Sequence, residues 1–474
     1  MEAGLENPCP QGVQLVKITL VSHASVIIES HGLRIWTDPW LSGKVFNESW
    51  SLFPEAAFDP AMLDGIDYLW ISHIHPDHFH IPSLNALTPE FKRRVKVLFQ
   101  DNHADQVFAV MEKCGYKNFQ VLGHRKPTAL SEDTAVYSYS AGTLDSCLGV
   151  IEPEGALFNV NDCRLNATDC RRVKSDIGRI DTVLSQFSLA VYNGMQPRES
   201  HLSRGAAAVL EKIFENHANL GARVTIPFAS LMRFSLVDNR YMNAYANRPR
   251  DVWEFARRRD LGVAILFPGD TYDSSTGCDS AAALGKYDAI YRTIDEFPYD
   301  TPEAVPLASI EKTFHDMVRH LRDKYPGPIL RMLRTMVVKL PDLDKTVKFS
   351  IQNDSFSEVD SSEPPDLIMC SQALHFCFFR PYGVQTLSSS AQHTVVRNLT
   401  NWRIHRALFA LNNAQAYGRL KYLLSNDTIS FFAKRIRALV RYTDLTRARV
   451  RYPDIHRPKP NSDQVFESSD GSGR

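Results

Sequence analysis

The chain has 474 residues, of which 44% are hydrophobic and 23% are charged, as in an ordinary globular protein with room for more than one domain. Its 54 Lys and Arg balance its 54 Asp and Glu, so the composition carries no specific nucleic-acid signal. The eight cysteines include no Cys-x-x-Cys pair, the first residues show no signal-peptide pattern, and no apolar run approaches the roughly 18 residues of a membrane span. We therefore expect a cytoplasmic protein with reduced thiols and no membrane span.

Strand and helix patterns alternate through the first 275 residues. Clusters of β-branched residues predict two or three strands over residues 13–37. Apolar runs predict further strands at residues 68–71, 94–99, 134–139, 147–151, 156–160, 181–186, 222–227 and 262–267. Helical patterns lie at residues 102–114, 203–216 and 250–260. This alternation is typical of an α/β fold.

The segment after the strand at 68–71 is rich in residue types that bind metals. It holds His73, His75, Asp77 and His78 within six residues. Imidazole and carboxylate are ligands that suit zinc or iron. Alternate side chains of an extended segment point the same way, so His73 and His75 can converge on one ion. A bend at the intervening proline lets Asp77 and His78 address a second ion.

Two adjacent metal ions would make this chain an enzyme. Two metals a few ångströms apart can clamp a phosphoryl or acyl oxygen and lower the pKa of a bridging water. Two irons in the same place could instead activate dioxygen. The competing interpretation is a polar loop that happens to be rich in histidine. The position of the segment, after a strand and before a predicted helix from Pro82, favours the metal site.

The motif from His73 to His78 resembles the signature of the metallo-β-lactamase-fold superfamily, and residues 20–26 and 36–41 are similar to its opening strands. Within the superfamily, residues 13–275 are similar to the catalytic region of the CMP-N-acetylneuraminate hydroxylase family and to nonheme diiron monooxygenases of this fold. The phrases shared with the hydroxylase family are Asp38-Pro39-Trp40-Leu41, Leu157-Phe158-Asn159-Val160-Asn161-Asp162-Cys163, Ser185-Gln186-Phe187-Ser188 and Ile226-Pro227-Phe228-Ala229.

The resemblance implies an α/β fold, the four-layer αβ/βα metallo-β-lactamase sandwich, for a catalytic domain over residues 1–300. We predict a mixed helix and strand domain over 301–460, as a C-terminal α+β extension, and a disordered tail over 461–474. Within the extension, the patterns predict a helix over 308–338, strands over 345–352 and 366–380, and two helices within 402–442.

The resemblance also implies a carboxylate that bridges the two ions. Asp162, at the end of a predicted strand, is one candidate, and a turn or helix-cap aspartate is its alternative interpretation. Asp270, between Gly269 and Thr271, rivals Asp162 for this role or supplies the last ligand. Asp145 stands where the superfamily usually has a histidine, and its alternative is a loop cap. A carboxylate there would shift the metal preference from zinc toward iron or manganese, as in diiron hydroxylases of this fold.

Four further residues are candidates around the site. His201 and His124 are the histidines that could fill a missing ligand position, and each is otherwise a surface or capping residue. Asp38 is expected beneath the metals, where it would orient ligand histidines. His23 would do the same or line the pocket.

The C-terminal part of the chain is basic. Residues 401–460 hold 13 Lys and Arg and 3 Asp and Glu, a net charge of +10. Such a segment could bind an anionic handle, such as the phosphate of a nucleotide or of coenzyme A, an acidic carrier protein, or a membrane surface. The competing interpretation is a solvated helix face docked on an acidic body.

The favoured function is a nonheme diiron monooxygenase that uses dioxygen and an external reductant to hydroxylate a C–H bond of an organic small molecule, thioester- or nucleotide-linked. The hydroxylase family carries a Rieske cluster held by Cys-x-His and Cys-x-x-His pairs. This sequence has neither pair, so the electrons would come from a separate donor protein. The alternative is a dinuclear zinc hydrolase of a phosphodiester, lactone, amide or thioester, in which Asp162 would hold the attacking hydroxide. For either enzyme, Asp77 and Asp162 are the predicted catalytic residues. A non-enzymatic metal- or anion-binding protein is the third hypothesis.

Overall fold

The computed structural model describes residues 16–141 and 144–416, with side chains up to residue 413. Its strands are β1 (Lys17–Leu20), β2 (Val26–Ser30), β3 (Leu33–Thr37), β4 (Lys44–Val45), β5 (Trp50–Leu52), β6 (Tyr68–Trp70), β7 (Lys96–Gln100), β8 (Asn118–Leu122), β9 (Pro127–Ala129), β10 (Ala135–Ala141), β11 (Asp145–Glu152), β12 (Gly155–Asn161), β13 (Thr182–Gln186), β14 (Val224–Phe228), β15 (Met232–Phe234), β16 (Thr271–Asp273), β17 (Met336–Leu340), β18 (Lys345–Ser350), β19 (Ser355–Val359), β20 (Leu367–Met369) and β21 (His393–Val395). Its α-helices are α1 (Ile81–Ala86), α2 (Pro89–Arg94), α3 (Ala104–Lys113), α4 (Ala167–Ile177), α5 (Arg198–Leu220), α6 (Pro249–Arg257), α7 (Ser280–Arg292), α8 (Leu307–Lys324), α9 (Gly327–Leu330), α10 (Ser371–Phe379), α11 (Gly383–Ser390) and α12 (Leu399–Ala416).

Two large sheets form the centre of the N-terminal part. One has seven strands in the order β16-β1-β2-β3-β6-β7-β8. Its strands are antiparallel from β16 to β3 and parallel from β3 to β8. The other has six strands in the order β14-β13-β12-β11-β10-β9, of which β14, β13 and β12 are parallel. In both sheets the parallel strands end at a common edge, and this edge is where loops can gather side chains from distant parts of the sequence.

The two sheets share an apolar core and are covered by helices on their outer faces. Trp70 from one sheet and Leu148 from the other belong to the same buried cluster. On the outer face of the seven-stranded sheet, α1, α2 and α3 contribute buried residues such as Met111. On the outer face of the six-stranded sheet, α4 contributes Val173. This order of helix, sheet, sheet and helix confirms the predicted four-layer α/β sandwich.

Capping residues mark the N-terminal ends of helices α1 and α4. His80 precedes α1, and its Nδ1 accepts a hydrogen bond from the Ser83 backbone N at 3.3 Å. Asn166 precedes α4 and forms a reciprocal capping box with Asp169, with N···O distances of 3.0 and 3.1 Å. Such caps satisfy the free N–H groups of a first helical turn, so they determine where each loop ends.

Two smaller sheets complete the described chain. The order β15-β5-β4 forms a three-stranded sheet beside the sandwich, and β19-β18-β17-β20-β21 forms a five-stranded sheet after residue 300. Helices α8 to α12 contribute to a separate apolar cluster with the five-stranded sheet, which includes Phe314 and Trp402. This part is the predicted α+β extension. The domain boundary at residue 300 stays a prediction.

One strand predicted in the catalytic region is wrong. Residues 262–267 are extended, but only Val263 bridges to a neighbouring strand residue, Thr225. Gly262 lies directly against the carbonyl oxygen of Arg223, where a side chain would not fit. The segment is apolar because it is buried in the core, and burial alone does not require a sheet.

Two predictions in the extension are also wrong. The strand predicted over 366–380 contains only β20, and most of the remainder is helix α10. Because α10 packs against both α8 and α11, it is apolar on most sides and shows no helical period. The helix predicted over 308–338 ends with α8, since Pro326 and Pro328 interrupt it, and strand β17 follows.

No helix within residues 16–141 and 144–416 is long and apolar enough to cross a membrane. Most of the basic segment, residues 417–460, and the tail over 461–474 lie outside the described residues.

Candidate metal centre

Strands of both large sheets end or begin at the candidate site. The strands β3, β6 and β7 pair in parallel, so their carboxyl ends lie at one edge. Asp38 follows β3, and the motif loop follows β6 after Ser72. Strand β11 of the other sheet begins there with Asp145, and the Ser146 Oγ donates a hydrogen bond to the carbonyl oxygen of Ser72 at 2.6 Å. The Gln100 side chain also donates to the carbonyl oxygens of Ser72 and of the residue before β11.

The first group of converging side chains is His73, His75 and Asp145. Their ligand atoms all lie within 4.8 Å of one another. The Nε2 of His73 lies 2.7 Å from the Nδ1 of His75 and 3.9 Å from the Oδ1 of Asp145. The structure therefore brings Asp145 to the two histidines that were predicted to converge on one ion.

The second group is His23, Asp77 and His78, whose ligand atoms also lie within 4.8 Å of one another. The Oδ2 of Asp77 lies 3.4 Å from the Nε2 of His23 and 3.4 Å from the Nε2 of His78. His23 was not among the predicted ligands. It was expected to orient the ligand histidines or to line the pocket. Its sequence signal was its place in the turn after β1, within the opening strands.

Asp162 lies between the two groups. It follows β12, and its Oδ2 lies 3.5 Å from the Nε2 of His73 and 3.9 Å from the Nε2 of His78. The three residues form a third group within 4.8 Å. A carboxylate in contact with one histidine of each group has the position that a bridging ligand requires.

Asp38 supports the site from below and is fully buried. Its Oδ1 accepts the Ser72 backbone N at 2.8 Å, and its Oδ2 accepts the Ser72 Oγ at 2.6 Å. The same Oδ2 accepts the His78 Nδ1 at 2.9 Å and the Asn161 Nδ2 at 3.1 Å. Because Nδ1 donates to Asp38, Nε2 is the atom of His78 that would bind a metal, in place of the proton that it directs at Asp77 without one.

The residues present fit metal cations. Among the described residues, one oxygen each of Asp77, Asp145 and Asp162 is buried without a hydrogen-bond partner. A buried carboxylate oxygen without a partner is costly, and a cation would compensate it. Imidazole nitrogen and carboxylate oxygen are also the donor types of zinc and iron sites.

The pKa values show how closely the groups interact. Burial, followed by the charges of His78 and His75, holds the pKa of His73 well below its ordinary value, which favours the neutral imidazole that a metal ligand needs. Burial alone would raise the pKa of Asp77, but the charge of His78 and hydrogen bonds from His78 and His23 hold it well below the ordinary value. Burial would likewise lower the pKa of His78, but Asp77 and Asp38 raise it well above the ordinary value.

Asp145 differs electrostatically from Asp77. Burial, followed by the charge of Asp162, raises the pKa of Asp145 to about 7. Two carboxylates that share a buried site repel each other unless a cation lies between them. A bound metal would remove this repulsion and keep both ionised.

The structure does not bring Asp270, His201 or His124 to these groups. The Oδ1 of Asp270 lies 2.6 Å from the Nζ of Lys286, and its Oδ2 caps the backbone N of Phe267 at 3.0 Å. The turn at residue 269 directs Asp270 toward α7, so Asp162 takes the central position that Asp270 rivalled. His201 lies on α5, and the Nδ1 of His124 accepts the backbone N of a β10 residue at 3.0 Å.

Aromatic side chains form a wall beside the second group. The ring of Trp40 lies 5.4 Å from His23, and that of Trp50 lies 6.4 Å from it, between centroids. The Phe46 ring lies 6.3 Å from His75 and 4.5 Å from Trp50. An apolar wall with a few convergent polar groups is typical of a small-molecule site.

The open side of the site is the side of the carboxylates. The side chains of His73 and His78 are 0% and 1% exposed, whereas those of Asp145 and Asp162 are 34% and 20% exposed. A substrate would therefore approach past Asp145 and Asp162, with the histidines at the floor.

The model of the beta-lactamase superfamily domain matches residues 17–147. The chain carries a metallo-β-lactamase-fold domain. The matched region contains His23, Asp38, the motif loop and Asp145, while Asp162 follows it. The resemblance inferred from the sequence is confirmed by this match.

Curated relatives include proteins named for iron–sulfur clusters and for hydroxylation. A Mycobacterium tuberculosis protein named as a Rieske 2Fe-2S iron–sulfur protein is 26% identical over 282 residues, 54% of each chain. The cytidine monophosphate-N-acetylneuraminic acid hydroxylase of Asterias rubens is 30% identical over 197 residues, 40% of this chain and 28% of that protein. Among solved structures, CmlA, a diiron beta-hydroxylase from Streptomyces venezuelae, is 17% identical, with a TM-score of 0.34 over 46% of this chain and 45% of that one.

The chain spans about half the length of the first of these curated relatives. The family match covers residues 17–147, and the convergent ligand groups are of the kind that metal-dependent enzymes use.

Proposed function

We propose that this protein is a nonheme diiron monooxygenase that hydroxylates a C–H bond of an organic small molecule. The observation that carries the proposal is the convergence of Asp145 on His73 and His75. With Asp77 and Asp162, it gives the centre three carboxylates. Hard oxygen ligands shift a nitrogen and oxygen site from zinc toward iron.

Each side chain has a defined part in this proposal. His73, His75 and Asp145 would hold one iron, and His23, Asp77 and His78 the other, with Asp162 between them. The irons, when bound, would supply the activation of dioxygen, with electrons from an external reductant. One oxygen atom enters the C–H bond, and the other leaves as water after accepting two electrons and two protons.

The remaining residues would orient the site and exclude water. Asp38 holds the proton of His78 at Nδ1, which keeps the ring in one orientation. The wall formed by Phe46, Trp40 and Trp50 would keep the substrate carbon near the irons and bulk water away.

The names of the relatives support the choice of reaction and of electron source. Curated relatives are named as hydroxylases of a nucleotide-linked sugar acid and as Rieske proteins. The sequence given holds no Cys-x-His and Cys-x-x-His pair. We therefore propose that a separate iron–sulfur or flavin protein donates the electrons, and that the substrate carries an anionic handle.

A dinuclear zinc hydrolase is the second candidate. Each of the two ligand groups has two histidines and one carboxylate, a donor set that hydrolytic zinc sites also use. In that case Asp162 would hold the bridging water that attacks an ester, amide or thioester.

Metal content and the need for a reductant distinguish the two candidates. We expect protein purified without oxygen to hold two irons per chain and to consume dioxygen only when a reductant is supplied. Two zincs per chain, with turnover of an ester or thioester panel in the absence of a reductant, would contradict the oxygenase.

The Asp145→His variant tests the observation on which the proposal rests. An imidazole at this position replaces a hard ligand by a softer one, so the ratio of iron to zinc bound from an equimolar mixture should fall about 10-fold. Asp270→His is the matched control, because Asp270 is also a strand-edge aspartate but lies outside the ligand groups. Equal ratios in wild type and Asp145→His would show that Asp145 does not select the metal.

A further inference from the structure

A second cluster of potential ligands lies in the sandwich, apart from the metal centre. His31, Glu152 and Glu154 each offer one ligand atom, and these atoms lie within 4.8 Å of one another. His31 is in the β2–β3 turn of the seven-stranded sheet, and the two glutamates are at the β11–β12 turn of the six-stranded sheet. We call these three residues the hairpin site.

The hairpin site is at the opposite edge of the sandwich from the metal centre. Strand β11 begins at Asp145, in the metal centre, and ends at Glu152. Eight extended residues span roughly 23 Å, at about 3.3 Å per residue. Groups at the two ends of β11 therefore cannot bind the same ion.

The chemistry of Glu152 indicates that the cluster is incomplete as it stands. Glu152 is 6% exposed, and its Oε1 is buried without a hydrogen-bond partner among the described residues. A buried carboxylate oxygen without a partner costs free energy that a cation would recover. The ligand atoms of the other two residues are reachable, because the side chains of His31 and Glu154 are 18% and 29% exposed.

The distances suit a small transition-metal ion. The Nε2 of His31 lies 3.1 Å from the Oε2 of Glu154. Two ligands at about 2.0–2.2 Å from zinc and at a tetrahedral angle are roughly 3.3–3.6 Å apart, so a movement of a few tenths of an ångström would admit the ion. One imidazole and two carboxylates match the ligand types of zinc, with water in a fourth position.

The positively charged side chains near the hairpin site do not prevent the binding of a metal cation. A cavity of about 80 Å³ opens beside His31, and Lys17 and Arg34 are among its lining residues. Lys17 lies 3.6 Å from a carboxylate oxygen of Asp273, and Arg34 lies 3.6 Å from one of Glu29. Both charges are therefore offset by neighbouring carboxylates, and the cavity gives water and ions access to His31.

We propose that His31, Glu152 and Glu154 bind a divalent transition-metal ion, zinc included, and that this ion joins the two central sheets. It would add a link to the one that the Ser30 Oγ and Thr134 Oγ1 already make at 2.8 Å across the same corner. The role is structural, and it does not depend on which metals occupy the catalytic centre.

Counting zinc in matched proteins tests the proposal. Full-length protein is stripped with a chelator, titrated with zinc alone and analysed for bound metal after gel filtration. We expect the variant carrying His31→Ala and Glu152→Gln to bind one zinc fewer per chain than wild type. The contribution of the catalytic centre cancels in this difference, because both proteins retain it. Glu132→Gln, which changes an exposed carboxylate outside the cluster, should bind as much as wild type.

Thermal unfolding gives an independent measurement. Zinc should raise the melting temperature of wild type by several degrees more than that of Glu154→Gln, a change at a part-exposed turn that leaves the core intact. If the double variant fails to fold, the count is repeated with Glu154→Gln alone. Equal zinc stoichiometry in wild type and variants would show that the cluster is an ordinary histidine–glutamate ion pair, and would overturn the proposal.

Discussion

Asp38 connects the backbone of the motif loop to the orientation of its histidines. The residue has a left-handed backbone, with φ of 37°. This conformation is unfavourable for a residue with a Cβ and persists only where the surroundings demand it. Here the two carboxylate oxygens hold Ser72, His78 and Asn161 at once. The strained residue therefore determines where the ligand atoms of β6 and β12 meet.

The Asp38→Asn variant should weaken metal binding without removing a ligand. An asparagine presents an N–H₂ group to at least one of its partners, so the hydrogen bond from His78 or Ser72 is lost. Loss of such a supporting partner typically lowers metal affinity by about 10–100-fold. The measurement is metal retained during dialysis against increasing chelator.

Asp270→Asn is the control for this variant. Its carboxylate pairs with Lys286, away from the ligand groups, so its metal retention should equal that of wild type. A metal loss by Asp270→Asn that matched the loss by Asp38→Asn would mean that the effect reports general instability and not the geometry of His78.

At the scale of single elements, the β4–β5 turn combines strain with contact to the site. Three consecutive residues, Phe46, Asn47 and Glu48, have φ values of 52°, 62° and 62°. The left-handed conformation costs about 1–2 kcal/mol for each such residue. Phe46 lies beside His75, and the Trp50 Nε1 anchors the turn by donating to the carbonyl oxygen of Ser389 at 2.8 Å. The strain is retained where it positions an aromatic ring at the site.

The Glu48→Gly variant should stabilise the protein. The Glu48 side chain is exposed, so its removal costs no packing, and glycine adopts a positive φ without strain. After the greater backbone entropy of glycine in the unfolded chain is subtracted, we expect the free energy of unfolding to rise by about 0.5–1 kcal/mol. Urea unfolding followed by circular dichroism measures this change.

Glu55→Gly provides the comparison, because Glu55 is exposed but does not have a positive φ. This variant should lose about 0.5–1 kcal/mol. A loss of stability in Glu48→Gly as large as that in Glu55→Gly would show that the turn is not strained.

Individual strands and helices also show where the local sequence was sufficient to predict an element and where it was not. Strands such as β11 and β12 were predicted within two residues of their bounds, because each combines β-branched residues with turn signals at its ends. Helix α10 was predicted as a strand, because an element buried on several sides has no periodic pattern to read.

At the scale of the whole molecule, the C-terminal extension contacts the part of the sandwich that carries the aromatic wall. The Asn239 Nδ2 donates to the carbonyl oxygen of Ser390 at 2.9 Å, and the Tyr241 hydroxyl donates to that of Ala391 at 2.7 Å. The backbone N of Val395 donates to the carbonyl oxygen of Gly194 at 2.8 Å. The residues after α11 thus support the loops around the site from outside the matched family domain.

The stability of these contacts should depend on pH through His393, which lies in β21 and is 2% exposed. Burial, followed by the charge of Arg406, lowers the pKa of His393 to about 3. In the unfolded chain its pKa is about 6.5, so between these values the unfolded state binds the additional proton. The free energy of unfolding is therefore undiminished above pH 7, and falls as the pH decreases through 6.5 toward 3.

Comparison of wild type with His393→Gln isolates this residue from the other buried histidines. Between pH 7.5 and pH 5.5, wild type should lose about 1 kcal/mol more of its free energy of unfolding than the variant does. The measurement is urea unfolding at a series of pH values. If the free energies of unfolding of the two proteins change in parallel with pH, His393 becomes protonated in the folded protein as readily as in the unfolded chain.

The sequence by itself determined the family, the four-layer architecture and the segment His73 to His78. The segment and the strands follow from local patterns, because four of the ligand candidates lie on one turn and each strand carries its own apolar run and turn signals. The four-layer architecture follows from the family resemblance that these motifs carry. A position after a strand end marked Asp162 and Asp270 as rivals for the bridging role, and the family resemblance placed Asp145 where a histidine usually stands.

Only the tertiary structure shows which of these side chains converge. Sheet pairing brings the ends of β6, β11 and β12 to one edge, and the β1–β2 turn adds His23 to Asp77 and His78. The same pairing directs Asp270 to Lys286 instead. Which strand ends meet depends on contacts between residues far apart in the chain, and no local pattern contains that information.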